Sequence, residues 1–273
     1  MNIRIRGISY HFEVHQQKKE LPYLIMLHGF LGSGKNFNHL TPPLKKFCNP
    51  VTIDLMGHGE TEGAELHYRF SAKEQVADLT KLISEQLHIP LFLCGYSMGG
   101  RLALQLALQR PDLFRGLILE SSTFGIEGET ERQARQALDA QRSDQIMGNF
   151  EGFLSEWKKM PLFGSSPAEQ GLLDKFHEVQ KQQIPLWMAN SLQGFGTGNM
   201  PCVRDQLSNI KIPVHLISGE QDSKFIHINQ QMQKEIEDAE FRIVKDAGHR
   251  VHLDQPEIFI GILKTFIQNK SKS

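Results

Sequence analysis

The spacing of apolar and polar positions changes period several times along the chain, and each change marks an element. Residues 3–6 and 9–14 alternate with period two, which predicts two strands, and Gly7 between them predicts an N-terminal hairpin. Leu24-Ile25-Met26-Leu27 is a buried-strand run, and Val51-Thr52-Ile53-Asp54-Leu55 is a further strand. Each ends in a turn-rich loop, residues 28–33 and 56–61, and open α/β sheets bind ligands beyond such carboxyl strand ends. Val76, Leu79, Leu82 and Ile83 recur at helical spacing, which predicts a helix to about Leu87; Ser71 and Glu74 have the spacing of a capping box at its start. Leu91-Phe92-Leu93-Cys94 then leads through Gly95-Tyr96-Ser97-Met98-Gly99 into a Leu- and Ala-rich helix from Arg101 to Gln109. Arg110-Pro111 stops that helix, and residues 116–121 form one more strand.

Strand-helix alternation lapses between Ser122 and about Gln206. The periodicity there predicts helices over residues 129–146, 150–158, 167–183 and 185–192, before a Gly-rich stretch at residues 194–199. Such a block, inserted between strands at the ligand end, is expected to form a lid. Alternation resumes with Val214-His215-Leu216-Ile217-Ser218, and Phe241-Arg242-Ile243-Val244 is a last strand before a closing helix to about Gln268. Residues 270–273 are expected to fray. The predicted class is therefore α/β, a mostly parallel central sheet with an inserted helical cap: core 1–122, cap 123–206, core 207–273.

Composition narrows the partners. Thirty basic and 31 acidic residues give a formal net charge of -1, so nothing favours nucleic acid or an anionic membrane as partner, and anion recognition must be local. Cys48, Cys94 and Cys202 are three in number and show no C-x-x-C spacing, which fits a reducing compartment and argues against a zinc site. The start, Met1-Asn2-Ile3-Arg4-Ile5-Arg6, lacks the apolar core of a secretion signal, and no run approaches the roughly 20 apolar residues of a membrane span. A cytoplasmic location is expected.

The chemistry begins at Gly95-Tyr96-Ser97-Met98-Gly99. This G-x-S-x-G pattern between strand and helix pushes the serine out at the end of a sheet, with Met98 N–H beside it at the positive end of the helix. The Phe30 N–H, in the loop after Leu27, is the candidate second oxyanion donor. Asp222, just past the strand at 214–218, is the candidate acid, and His249, after Gly248 beyond the last strand, is the candidate base. His58 reads as a structural loop histidine. His252 and Asp254 lie close to the base in sequence and are expected to cap or pack the closing helix. Gly29, Gly32, Ser33, Gly34 and Lys35 approach a phosphate loop, but Asn36 stands where Ser or Thr is required. Nucleophile, acid and histidine, in that order and each past a strand, form the α/β-hydrolase arrangement.

The chain also resembles a narrower family. Gly95-Tyr96-Ser97-Met98-Gly99-Gly100-Arg101, residues 120–135 with Glu131-Arg132-Gln133-Ala134-Arg135, Glu156-Trp157 before Pro161-Leu162-Phe163, and residues 219–225 are similar to the 2-succinyl-6-hydroxy-2,4-cyclohexadiene-1-carboxylate synthase family of menaquinone biosynthesis. The resemblance runs from about Leu24 to His252. It implies elimination of pyruvate from 2-succinyl-5-enolpyruvyl-6-hydroxy-3-cyclohexene-1-carboxylate, a tri-carboxylate, without metal or organic cofactor and with the triad serine acting as a base. It implies a substrate site that includes Tyr96, Arg101, Trp157 and Arg135, with Arg132 as a further candidate. The third cap helix departs from the family: where the family tends to carry an arginine for the substrate it reads His177-Glu178-Val179-Gln180-Lys181, with Lys181 as the candidate substitute.

The residues allow more than one account of these cations. Arg101 lies one helical turn from Ser97, either paired with Asp54 or Glu120 or free to hold a ligand carboxylate. Arg132, Arg135, Asp139 and Arg142 share one helical face, which is either a solvated stripe or a ligand-facing one. Trp157 packs on a substrate ring or in the cap core. Two rival functions share the core motifs, a carboxylesterase or carbon-carbon bond hydrolase using Ser97 as nucleophile, and a binding protein that retains the fold without catalysis.

Overall fold

The computed structural model describes residues 1–87, 90–164 and 166–271. Within them the strands are β1 (Asn2–Ile5), β2 (Ile8–Val14), β3 (Tyr23–Leu27), β4 (Asn49–Ile53), β5 (Leu91–Tyr96), β6 (Phe114–Glu120), β7 (Val214–Gly219) and β8 (Ala239–Val244). The helices are α1 (Thr41–Leu44), α2 (Ala72–Gln86), α3 (Met98–Gln109), α4 (Glu129–Gly148), α5 (Phe150–Lys158), α6 (Gln170–Lys181), α7 (Pro185–Phe195), α8 (Ser223–Glu235), α9 (Val251–Asp254) and α10 (Pro256–Lys270). The strands form one sheet in the order β1-β2-β4-β3-β5-β6-β7-β8. β1 and β2 make the expected hairpin, β2 pairs antiparallel with β4, and the remaining pairs are parallel.

The sheet is covered on both faces, and the period of two in its strands sorts the core into two layers. Ile25, Leu27, Val51, Ile53, Leu91 and Leu93 pack with apolar residues of α2 and α3. Their neighbours Leu24, Met26, Phe92 and Cys94 pack with Leu44 of α1 and with Phe259, Leu263 and Phe266 of α10. Because β3 and β5 to β8 are parallel, the loops that follow them all leave the same edge. β4 and β5 lie on opposite sides of β3, so the chain changes direction there and leaves a crevice between the loops after β3 and β5. Phe30 and Ser97 sit in those two loops.

Between β6 and β7 the described residues form α4 to α7 and no strand. Ile146, Phe153, Leu154, Met188, Ala189 and Leu192 form a third apolar cluster, which also takes in Leu31 of the loop after β3. This helical insertion thus rests on that loop.

Three local expectations are corrected. Ser71 does occupy the N-cap of α2, but its side chain makes no capping hydrogen bond. Glu74 is drawn away by Arg6, 2.7 Å, and Arg69, 3.3 Å, because two guanidinium groups outcompete a single backbone N–H for its carboxylate. α7 continues through Gly194, whose missing side chain lets the helix pass the carbonyl of His67. Lys270 is not frayed: it ends α10 and pairs with Asp238 at 3.0 Å, while Lys272 and Ser273 lie outside the described residues.

Candidate active site

β5 delivers Ser97 into a conformation rarely adopted by a residue with a side chain, φ 51° and ψ -107°. The cost of such a backbone is about 1–3 kcal/mol, and it is sustained by tight packing around it. A Cβ on Gly95 would lie 2.5 Å from the carbonyl oxygen of Gly99, and one on Gly99 would lie 2.3 Å from that of Leu27. Only glycine allows strand and helix to approach this closely, and the approach holds Ser97 at the sheet edge.

The loops after β7 and β8 bring the other two candidates to it. Asp222 accepts a hydrogen bond from His249 Nδ1 at 2.7 Å, and His249 Nε2 lies 3.1 Å from Ser97 Oγ. A carboxylate can only accept, so Nδ1 carries the proton and Nε2 is left to accept from the serine hydroxyl. Phe225, with its ring 4.6 Å from that of His249, and Tyr96, at 5.4 Å, wall the imidazole. Asp222 and His249 are both buried.

Among the described residues, neither the Phe30 nor the Met98 N–H has an intramolecular acceptor, and both residues line the cavity over Ser97. Met98 is the first residue of α3. The Phe30 loop is positioned by His28, whose Nδ1–H donates to Gly29 O at 2.7 Å while Nε2 accepts from Leu55 N at 3.0 Å. Burial lowers the pKa of His28, in keeping with this neutral form. His58 lies outside the triad: it is fully buried, bonded to Met56 O at 3.0 Å, and pushed down to about 3 by burial and then by His28. The glycine-rich turn before Asn36 binds a carboxylate of the protein itself, Gly34 N donating to Asp54 at 2.6 Å.

The cavity over the triad measures about 400 Å³. Arg101, Arg135, Arg142 and Lys224 line it, and among the described residues none of those lining it is acidic. Arg101 pairs with neither Asp54 nor Glu120, the protein acids that could have neutralised it. Asp54 is taken by His11 at 3.0 Å and by two backbone N–H groups, and Glu120 by His252 at 2.9 Å. Arg101 instead donates to Phe195 O at 2.9 Å and to Met200 Sδ at 3.4 Å. Burial, and then the neighbouring Arg135, pull its pKa down to about 9, so it stays charged at neutral pH. Burial and then Arg135 also lower Arg142, and the same two causes lower Lys224, although that residue is partly open to solvent.

Arg135 donates to Asp139 at 2.9 Å, with Arg142 at 3.8 Å from the same oxygen. The one-face stripe is therefore divided. Asp139 is its buried anchor, Arg135 and Arg142 reach the cavity, and Arg132 does not, since it lies a turn nearer the helix start and pairs with Glu129 at 2.5 Å. Lys181 is likewise directed away, exposed and paired with Glu178 at 2.6 Å. Trp157 meets both of its expectations: it lines the cavity, and it packs 5.5 Å from Phe30 and from Phe153. Tyr96 lines the cavity as well. His252 packs against Phe259 of α10, as expected, but Asp254 holds Gly248 N–H in the triad loop at 2.9 Å and does not cap α10. Arg142 and Lys224 were missed as site residues. Arg142 shares a face with Arg135, which was the available signal; for Lys224 only its place two residues after Asp222 pointed to the site.

Residues 22–256 match the alpha/beta hydrolase fold family. A Bacillus subtilis (strain 168) protein, named as a provisional assignment 2-succinyl-6-hydroxy-2,4-cyclohexadiene-1-carboxylate synthase, is 35% identical over 246 residues, 89% of this chain and 89% of its own. The chain belongs to this synthase family within the α/β hydrolases. A Serratia proteamaculans (strain 568) synthase of the same name is 26% identical over 94% of this chain and 97% of its own. The solved structure of MenH from S. aureus is 28% identical and superposes with a TM-score of 0.90 over 96% of this chain and 98% of that one. Within the synthase family, this chain thus sets hydrogen-bonded Ser97, His249 and Asp222 beneath a wall of four cations, two of which share the single carboxylate of Asp139.

Proposed function

We propose that the chain is a carbon-oxygen lyase of menaquinone biosynthesis. It eliminates pyruvate from 2-succinyl-5-enolpyruvyl-6-hydroxy-3-cyclohexene-1-carboxylate to give 2-succinyl-6-hydroxy-2,4-cyclohexadiene-1-carboxylate. The observation that carries this is the wall of four cations over Ser97, Arg101, Arg135, Arg142 and Lys224, with a single acid, Asp139, held behind it by Arg135 and Arg142. Four cations around one internal carboxylate leave an excess of positive charge that is costly in a partly dry cavity unless further anions join it, and a substrate with three carboxylates supplies them. A simple ester has no use for them.

In the proposed mechanism Ser97 passes its proton to His249 Nε2 as its oxygen takes the ring proton adjacent to the succinyl ketone. Asp222 holds the resulting imidazolium. The enolate oxygen lies between the N–H groups of Phe30 and Met98, and one such donor is worth about 3 kcal/mol in acyl-transfer enzymes. Collapse of the enolate forms the new ring double bond and breaks the carbon-oxygen bond. The departing enolpyruvate takes up the proton held by His249 and becomes pyruvate. The enzyme's own groups carry each step, and residues 123–206 act as the cap that closes the cavity. We place the reaction in the cytoplasm, a reducing compartment that suits three cysteines left as free thiols.

A coupled assay for pyruvate release from the enolpyruvyl intermediate, run beside simple esters, tests the reading. Pyruvate at a rate far above ester cleavage is expected; the reverse preference would make the chain an esterase.

A further inference from the structure

Beside the catalytic cavity a second crevice opens between α5 and α6, sharing Trp157, Phe163 and Gln180 with it. It measures about 210 Å³, and among the described residues Lys158, His177 and Arg250 line it with no acidic residue. Arg250 follows the triad histidine directly and is only 5% exposed. Its guanidinium carbon lies 5.1 Å from the ring centres of both Phe163 and Phe176. Aromatic faces offset part of the loss of water but offer no acceptor to five N–H donors. Asp254, four residues further on, is engaged by Gly248 N–H and by the Ser166 hydroxyl. Among the described residues neither Arg250 nor Lys158 forms an ion pair. The indole N–H of Trp157, on the shared wall, is buried without a partner.

We propose that this crevice is a carboxylate subsite anchored by Arg250, with Lys158 and Trp157 as further donors and Phe163 parting it from the triad. The geometry suits a planar, two-pronged contact, for which an arginine held flat between two rings is pre-organised. The proposal rests on the synthase reading only for the source of the carboxylate, which is either the succinyl arm of the bound substrate or the small 2-oxo acid that leaves.

His177 reports on occupancy. Burial, then Lys158 and Arg250, lower its pKa, with Lys181 adding to this and Asp174 opposing it. An anion in the crevice counters the two lining cations and raises it. The experiment follows the His177 ring by NMR during pH titration, with pyruvate and with succinate, in the wild type and in Arg250→Ala, Arg250→Gln and Arg250→Lys. Thermal melting selects the variants that fold. In the wild type at least one acid should raise the His177 midpoint by about one unit, the order expected of an opposite charge nearby. Arg250→Ala and Arg250→Gln should abolish that response, and Arg250→Lys should retain part of it. A response to pyruvate alone assigns the site to the released acid. A response to succinate, with KM for the intermediate raised about tenfold in Arg250→Ala and kcat kept, assigns it to the substrate arm. Silence of His177 to both acids, or an equal response in a folded Arg250→Ala, overturns the proposal. A response to succinate in a protein that releases no pyruvate keeps the subsite and removes the synthase reading instead.

Discussion

Arg101 of α3 donates to the carbonyl oxygen of Phe195 at the end of α7, 2.9 Å away, and its guanidinium lies 4.9 Å from the centre of the same residue's ring. One side chain thus ties the core helix that begins beside Ser97 to the last helix of the cap. The tie uses part of the guanidinium and neutralises none of its charge.

Arg101 should therefore matter more to turnover than to folding. A charged hydrogen bond is worth about 1.5–3 kcal/mol, so Arg101→Ala should lower kcat/KM by about ten- to a few hundred-fold. Arg101→Lys, which keeps the charge but loses the planar fork, should fall between the two. Steady-state kinetics beside thermal melting decide the matter. A sharp fall in melting temperature with normal turnover of the folded fraction would make Arg101 structural and return the esterase to favour.

Ser97 should never become acylated. Ser97→Ala should abolish turnover while leaving substrate binding largely intact, and mass spectrometry of enzyme quenched during turnover should show unmodified protein. An adduct on Ser97 that forms and decays at the turnover rate would contradict the elimination.

Asp139 should act on binding through the cap arginines. It is fully buried and accepts from Arg135 at 2.9 Å. Asp139→Asn keeps the acceptor but removes the charge, a loss of about 1 kcal/mol in the hydrogen bond, so KM should rise about fivefold with a smaller change in kcat. An unchanged KM would mean that other contacts place Arg135 and Arg142.

His58 should make stability fall on acidification. Its folded pKa of about 3 lies below the ordinary value of 6.5, so between these limits the unfolded chain binds more protons than the folded one. The stabilisation it contributes is complete above pH 6.5 and is lost as pH falls toward 3, at up to about 1.4 kcal/mol per pH unit. Denaturant melts of the wild type and of His58→Gln across that range should show a shallower acid slope in the variant; parallel slopes would contradict the assignment.

Much of this protein was legible in its amino-acid order. Strand and helix periods depend on neighbours within a few residues, so the hairpin, the parallel strands and the four cap helices could be read from spacing. That Ser97, Asp222 and His249 meet could be read because each lies in the loop after a strand, and parallel strands bring such loops to one edge whatever lies between them. The charges could not be read in this way. Arg135 and Arg132 are alike in sequence, yet one meets buried Asp139 and the cavity while the other meets Glu129 at the surface. Glu120 and Asp54 were both plausible partners for Arg101 until the fold gave them to His252 and His11. Arg250 carried no signal at all, because its place between Phe163 and Phe176 depends on a turn and a helix more than 70 residues earlier in the chain. Periodicity is a local property of the backbone, whereas the partner of a charge is whatever the folded chain brings within a few ångströms of it, and only the tertiary structure decides that.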